Sequence, residues 1–485
     1  MSEIKVIKPS FEILEPHMNP EQKVAKMARI CYRSEAQASK EADANLINNC
    51  VQRTHFSVLE HGFVSVIFSN AAIPHEKFNG IAVFPDEAKV SSDAIWNNFN
   101  SDTRKKYIEV YGDDEIYKLI QGPGSKPNSY NVYAGNFHTW LSCIDEFMSV
   151  AYQKQFNLGF IFMLALSDKF YKEFPSVFKN LIEQVNEALK ILDKKSDLYL
   201  LGGKEGTHTI EDYRKYFDTF EMIVTKACAR MTLSAILRTD RAVTHELVRH
   251  RRGVAYSQES QRYVNYQNKG YEVVWPQMDP VKFDKASFKT PSGGANLLEG
   301  GYIQGDTVAF STWRNAMVKA MNYYDEMRKS EIVLPAENEG ADNPVITIPP
   351  EVARTVLPNS FATTIGVTWT PQTFINLMYR RLEKHAQWPI RYLLGSLVIE
   401  SLRTRHPFFE NFAPGLVSKW INDAFDMKIF SDESLKNDLL EYQKKRKDNI
   451  NKIIAEGLKK IEENRKKAEQ ASKTDDQPKP TQESK

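Results

Sequence analysis

The sequence reads as α+β: strand-like and helix-like stretches are mixed along the chain, with strong helical periodicity in its middle and a charged helical tail. Three observations carry that reading. Period-two alternation runs through KVIKPSFEIL near the N-terminus and through VSVIFS, where Val64, Val66 and Phe68 share a face. Helical periodicity runs through KVAKMARICY, NLINNCVQ, WLSCIDEFMSVAY, FPSVFKNLIEQVNEALKIL and TWRNAMVKAMNYYDEMRKS. No GxGxxG follows a strand, which argues against a doubly wound dinucleotide-binding sheet.

Taken in order, residues 1–70 form the first part of the core: an edge strand interrupted by Pro9, two helices, and a tight turn from His55 to His61 leading into a strand. A lone His61 at a strand start reads first as a hydrogen-bonded structural residue. Residues 71–230 read as a mostly helical insertion broken by GPGSKPNS at 122–129, with Trp96, Tyr107, Tyr130, Tyr133 and Trp140 building a small core of its own. The core resumes over 231–276, where LSAIL rejoins a sheet. Residues 277–345 form an irregular second insertion with one amphipathic helix, on which Trp313, Met317 and Met321 make a buried stripe. The Gly pairs in SGGANLLEGGYIQGD lack the GK[ST] of a phosphate loop. Residues 346–430 complete the core. Residues 431–485 are a charged helix with an Ile/Leu stripe, suited to solvent or a short coiled coil, ending in fifteen disordered residues.

At 485 residues, 42% hydrophobic and 26% charged, the chain has the composition of a soluble multi-domain protein. Lys+Arg 64 against Asp+Glu 62 gives no global field toward nucleic acid or membrane, so any anion site is a local concentration of charge. Cys31, Cys50, Cys143 and Cys228 are scattered without metal spacing and read as reduced core thiols in a cytoplasmic protein; no metal site is expected. Neither the N-terminus nor GFIFMLAL at 159–166 has the length of a membrane span.

Two stretches concentrate chemistry. The first, THELVRHRRGVAYSQESQRYVNY from Thr244 to Tyr266, carries His245, Arg249, His250, Arg251, Arg252 and Arg262 with Ser257, Gln258 and Ser260. Asp240 is expected to cap a helix with Val243, Leu247 and Val248 inward and the RHR run on its last turn, until Gly253 stops it before a polar loop. Guanidinium groups there suit phosphate oxygens, and Ser and Gln suit a heterocycle edge. The second spans 350–394. Thr370 and Pro371 start a helix that buries Phe374, Leu377, Met378 and Leu382, leaving Asn376, Arg380, Arg381 and His385 on another face. Arg381 and His385 are expected to lie one above the other, and Pro389 to kink the helix.

These stretches resemble the flavin-dependent thymidylate synthase (ThyX) family. RHR followed by SQxSxRY is the family's mark, here with eight residues between Arg251 and Ser260 where the family has seven. Either the loop has one extra residue or the triplet is His250-Arg251-Arg252. ARICY followed by HFSVLEH is similar to the family's ARxxY and HxSPLEH, and PEVARTVLP and RxxxHAQWxI match two further blocks. The chain departs from the pattern at Val58, Glu246, Thr370, Gln372 and Pro389.

The resemblance implies a ThyX-like mixed α/β core and a homotetramer in which several subunits build each site. It implies conversion of dUMP to dTMP with FAD as cofactor, and with NADPH and methylenetetrahydrofolate as cosubstrates. By position, Arg381 would be catalytic. Glu246, Gln258, Ser260, Gln261, Arg262, Arg354 and Arg381 would bind dUMP, with Arg262 and Arg354 on its phosphate. His61, Arg249, His250, Arg251 and Asn376 would contact FAD. No cysteine lies in either charged block, so a uracil ring would be activated by charge rather than by a thiolate, and a guanidinium beside its oxygens stabilises a developing enolate. The competing readings are a non-catalytic homologue and a nucleic-acid binder using Arg249 to Arg252.

Overall fold

The computed structural model describes residues 3–69, 89–91, 130–142, 144, 158–193, 222–225, 230–251, 253–283, 287–289, 295–297, 301–305, 307–335 and 343–475. Trp96, Tyr107, Cys143, Cys228 and the 122–129 break lie outside them. The protein is α+β, as expected.

Pro9 does more than interrupt an edge strand. It separates β1 (Ile4–Ile7), which runs parallel to β9 (Tyr271–Val274), from β2 (Ser10–Ile13), which joins a different sheet. That second sheet has the order β2-β7-β14-β8 and is antiparallel throughout, with β7 at Leu233–Asp240, β8 at Val254–Gln258 and β14 at Ala362–Trp369. LSAIL thus lies in the sheet, as expected.

Alternation along these strands sorts two faces. Leu233, Ala235, Leu237, Ile365, Val367 and Trp369 pack into the main core with α7 (Pro371–Arg381), α8 (Trp388–Arg403) and α9 (Pro414–Asp426). Phe374, Leu377, Met378 and Leu382 are buried in that core. On the opposite face lies α1 (Pro20–Tyr32), whose Met27 and Ile30 pack with Leu14 and Ile236 and meet Gly366. His61 is fully buried at the end of a 3-10 turn from Phe56 to His61. Its Nδ1 lies 2.9 Å from Thr368 Oγ1 and its Nε2 3.0 Å from Ser257 Oγ. Burial, reinforced by nearby Lys23, lowers its pKa to about 3.

The region after residue 70 is not simply a helical insertion. β3 (Phe63–Ser69) pairs with β5 (Tyr130–Asn136) on one side and β6 (Met222–Thr225) on the other, and β4 (Lys89–Ser91) pairs with β5. An aromatic core does form there: Phe137, Trp140, Phe170, Phe174 and Phe178 are all buried, with the Phe170 and Phe178 rings stacked at 4.8 Å. Its helices α3 (Leu158–Glu173) and α4 (Pro175–Asp193) join the rest of the chain through Glu21 of α1, which accepts from Ser176 N at 2.8 Å and Val177 N at 3.1 Å. Burial raises the Glu21 pKa against these hydrogen bonds.

Four local expectations are corrected. α5 (Arg241–Leu247) is capped by Asp240, which accepts from Val243 N at 2.8 Å, but it ends before the RHR run, and the segment after Gly253 is strand β8 rather than a loop. Gly253 sits at φ 60°, the left-handed turn into that strand. α7 ends at Arg381, so His385 does not continue its face. Pro389 stands in the first turn of α8, where its missing N–H has no helical partner to lose, and starts a helix instead of kinking one.

The helix over 308–329, α6, buries Met317 and Met321 with Trp313 packed alongside, as expected. The tail helix α10 (Glu433–Asp475) runs into the stretch expected to be disordered. Leu439 and Gln443 are buried and Arg446 pairs with Glu410 at 3.1 Å; beyond them Ile450, Ile453, Ile454, Leu458 and Ile461 are exposed. Among the described residues no helix is long and apolar enough to cross a membrane.

His61 has a folded-state pKa below its ordinary value, so the unfolded chain binds its proton first. Its contribution to stability is complete above pH ~6.5 and is lost as pH falls toward about 3. Chemical denaturation across that range should show a shallower acid dependence in His61→Gln than in the wild type. A Cβ at Gly62 would lie 2.2 Å from the Phe137 ring, so Gly62→Ala should cost roughly 1–3 kcal/mol in the same assay.

Candidate active site

The charged residues gather in two places, and α5 and β8 run between them. At one end, the turn after α5 is held down by β8: the Tyr256 hydroxyl lies 2.6 Å from the Leu247 carbonyl and 2.9 Å from that of His250. Arg381, the last residue of α7, reaches this turn with its whole fork. Its Nη1 donates to Glu246 Oε2 at 2.8 Å, its Nη2 to the Glu246 carbonyl at 3.3 Å and its Nε to His250 Nε2 at 3.2 Å. The ion pair is mostly shielded, at 18% and 13% side-chain exposure.

His250 must be an acceptor at Nε2, because the arginine Nε can only donate. Burial, then Arg381 and Arg380, lower its pKa, so the ring is neutral near pH 7. The arrangement fixes a guanidinium in one plane beside an uncharged imidazole.

At the other end, Arg262 Nε lies 3.5 Å from Glu351 Oε2, and Arg354 Nε donates to the Glu351 carbonyl at 3.1 Å. Both arginines are exposed, and the acidic residue between them brings their segments together. Ser260 is set by its backbone: its N–H donates to the Cys31 carbonyl at 3.0 Å and its Oγ accepts from Arg262 N at 3.1 Å. Gln261, between them, is half-buried. Gln258 turns the other way, toward α5, donating to Thr244 Oγ1 at 2.9 Å.

Arg241, at the first position of α5, belongs to this second group. Its Nη2 donates to the Glu259 carbonyl at 3.1 Å, and burial lowers its pKa, with Arg354 adding to that effect. Sequence reading passed over it, although an arginine directly after the Asp240 cap lies one short helix away from the RHR run. Arg241 opens α5 and Glu246 stands five residues further on, so the two groups touch this helix about 7.5 Å apart along its axis.

The residues expected around a flavin divide. Arg249, Arg251 and Asn376 are exposed at the first end, near His250, with Arg380 one turn beyond Asn376. Exposed guanidinium groups with an amide fit a dinucleotide's pyrophosphate. His61 stands apart from them, buried with its two ring nitrogens beside Thr368 and Ser257.

Over residues 13–74 and 220–408 the chain matches the family model Thy1, thymidylate synthase complementing protein. It is similar to the flavin-dependent thymidylate synthase of Clostridium tetani, 28% identical over 178 residues that cover 37% of this chain and 61% of that protein. It is also similar to the protein of the same description from Geobacter sulfurreducens, 29% identical over 163 residues covering 34% of this chain and 51% of that one. The chain thus spans about half to three fifths of the length of these curated relatives.

Replacing Arg381 removes a cation beside His250 and frees the Glu246 carboxylate. Histidine NMR titration of Arg381→Met should find the His250 pKa raised from its wild-type value toward the ordinary ~6.5.

Proposed function

Because the chain belongs to the thymidylate synthase complementing protein family, we propose that it is a flavin-dependent thymidylate synthase that methylates dUMP to dTMP. The carbon donor is methylenetetrahydrofolate, NADPH the reductant and FAD the cofactor. Flavin, when bound and reduced, supplies the hydride that completes the methyl group.

The observation that carries this reading is the Arg381 fork, held between Glu246 and a neutral His250. A guanidinium fixed in that way can meet charge developing on the uracil oxygens without first reorganising, and one such preorganised donor is worth about 3–4 kcal/mol of barrier. Glu246 fixes the guanidinium's plane, and the neutral His250 ring adds no positive charge of its own beside it. Arg262 and Arg354, gathered by Glu351, are the candidates for the dUMP phosphate, with Ser260 and Gln261 on the loop between, and Gln258 at its start. Arg249, Arg251 and Asn376 would hold the flavin.

The described cysteines support activation by charge. Burial raises the Cys31 pKa and lifts that of Cys50 to about 11, which keeps both as thiols at neutral pH. A homotetramer, which the family resemblance implies, belongs to this proposal, with each site built by several copies of the chain.

In FAD-reconstituted protein, dUMP should stimulate NADPH oxidation and dTMP should form in the presence of methylenetetrahydrofolate. Arg381→Ala should lower dTMP formation by about 10²-fold or more while flavin absorbance is retained. Undiminished turnover would remove Arg381 from this role, and a wild-type protein that forms no dTMP and fails to complement a thymidine auxotroph would end the reading.

A further inference from the structure

We infer that Glu259 is a positioning residue whose buried carboxylate sets the Ser260–Arg262 loop for a nucleotide phosphate; the inference rests on the function proposed above. Glu259 lies between Gln258 and Ser260, where β8 leaves the sheet, and is 1% exposed. Alternation sends Gln258 toward α5 and Glu259 to the opposite face, under α1. An isolated carboxylate at such a site would cost several kcal/mol, so its surroundings must compensate it.

They do so from three separate elements. Arg238 of β7 donates through Nη1 to Glu259 Oε2 at 3.1 Å, and Arg33, the left-handed residue that ends α1, stands 4.0 Å from the same oxygen. The Tyr266 hydroxyl, whose pKa burial raises, is close enough for the carboxylate to raise it further, although neither it nor Glu259 Oε1 completes a hydrogen bond among the described residues. Arg238 pairs in turn with Glu272 of β9, and Glu272 with Lys5 of β1 at 3.4 Å, so the carboxylate ties the main sheet to the β1–β9 pair.

The backbone of the same residue is held twice more. Its N–H donates to the Thr364 carbonyl at 2.9 Å, and its carbonyl accepts from Arg241 Nη2. The next residue, Ser260, is bonded to Cys31, two residues before Arg33. Glu259 is therefore held through both side chain and backbone at the start of the stretch that carries Ser260, Gln261 and Arg262. Its charge also pairs with Arg33 and, together with Glu272, with Arg238. A neutral residue here loses the charged contacts to Arg33 and Arg238 and loosens the loop, while Arg381 keeps its own partners, Glu246 and His250.

The test is steady-state kinetics on the flavin-loaded full chain. Glu259→Gln keeps the shape and removes the charge; the KM for dUMP should rise tenfold or more while kcat stays within about twofold, because ground-state binding is what the loop supplies. A merely structural Glu259 would lower the melting temperature and leave the KM of the folded enzyme within twofold of wild type, and that result overturns the inference. If Glu259→Gln does not fold, Arg33→Gln decides: a threefold or greater rise in KM supports positioning, and an unchanged KM overturns it. A wild-type enzyme without dUMP-dependent turnover would instead defeat the proposed function.

Discussion

The pairing of Ala362–Trp369 with a strand on either side is the constraint on which the rest of the structure depends. β14 takes β7 as one neighbour and β8 as the other, and its alternation assigns the partners of both faces. Ile365, Val367 and Trp369 admit the helical core, while Thr364, Gly366 and Thr368 meet Arg238, α1 and His61. Because β8 is hydrogen-bonded to β14, the polar residues after Gly253 become an ordered strand. Each charged group then lies at a defined end of it.

Charge is arranged against a nearly neutral whole. Lys+Arg and Asp+Glu differ by only two across the chain, so neither arginine group arises from a general basic character. Each is built around an acid: Glu246 holds Arg381, and Glu351 draws Arg262 to the segment of Arg354. A third acid, Glu259, pairs with arginines that never reach the surface group. Such pairing orients guanidinium groups, whose planar forks lose much of their specificity when free to rotate. It also explains how one short helix, α5, can carry Arg241 at its start and the RHR turn beyond its end without collapsing them into one patch.

Distance along the chain is a poor guide to distance in the fold around β3. Its two neighbours, β5 and β6, lie more than sixty and one hundred and fifty residues further on, yet they complete the sheet that begins at the HFSVLEH turn. The turn is thereby locked from both sides: Gly62 touches Phe137 of the aromatic core, and His61 enters the face beneath α1. A histidine that resembles a ligand contact by motif becomes a buried hydrogen-bonding bridge by location.

Much of this was legible in the residues themselves. The Asp240 cap, the Pro371 helix start, the Met317–Met321 stripe, the strand at LSAIL and the two arginine-rich stretches follow from local rules of capping, periodicity and charge, which act within a few residues. Strand β14 was not legible, because ATTIGVTW is buried on both faces and its Thr and Gly positions blur the alternation of a half-exposed strand. The stops of α5 and α7 were hidden for a related reason: helical periodicity continues past Leu247 and Arg381, but Tyr256 and the Pro389 start of α8 impose the ends. By itself, then, the sequence determined the element types and the residues able to carry the chemistry. Only the tertiary structure decided which of them meet, because the partners of Arg381, Glu259 and His61 come from segments far apart in the chain that are joined by sheet pairing and burial.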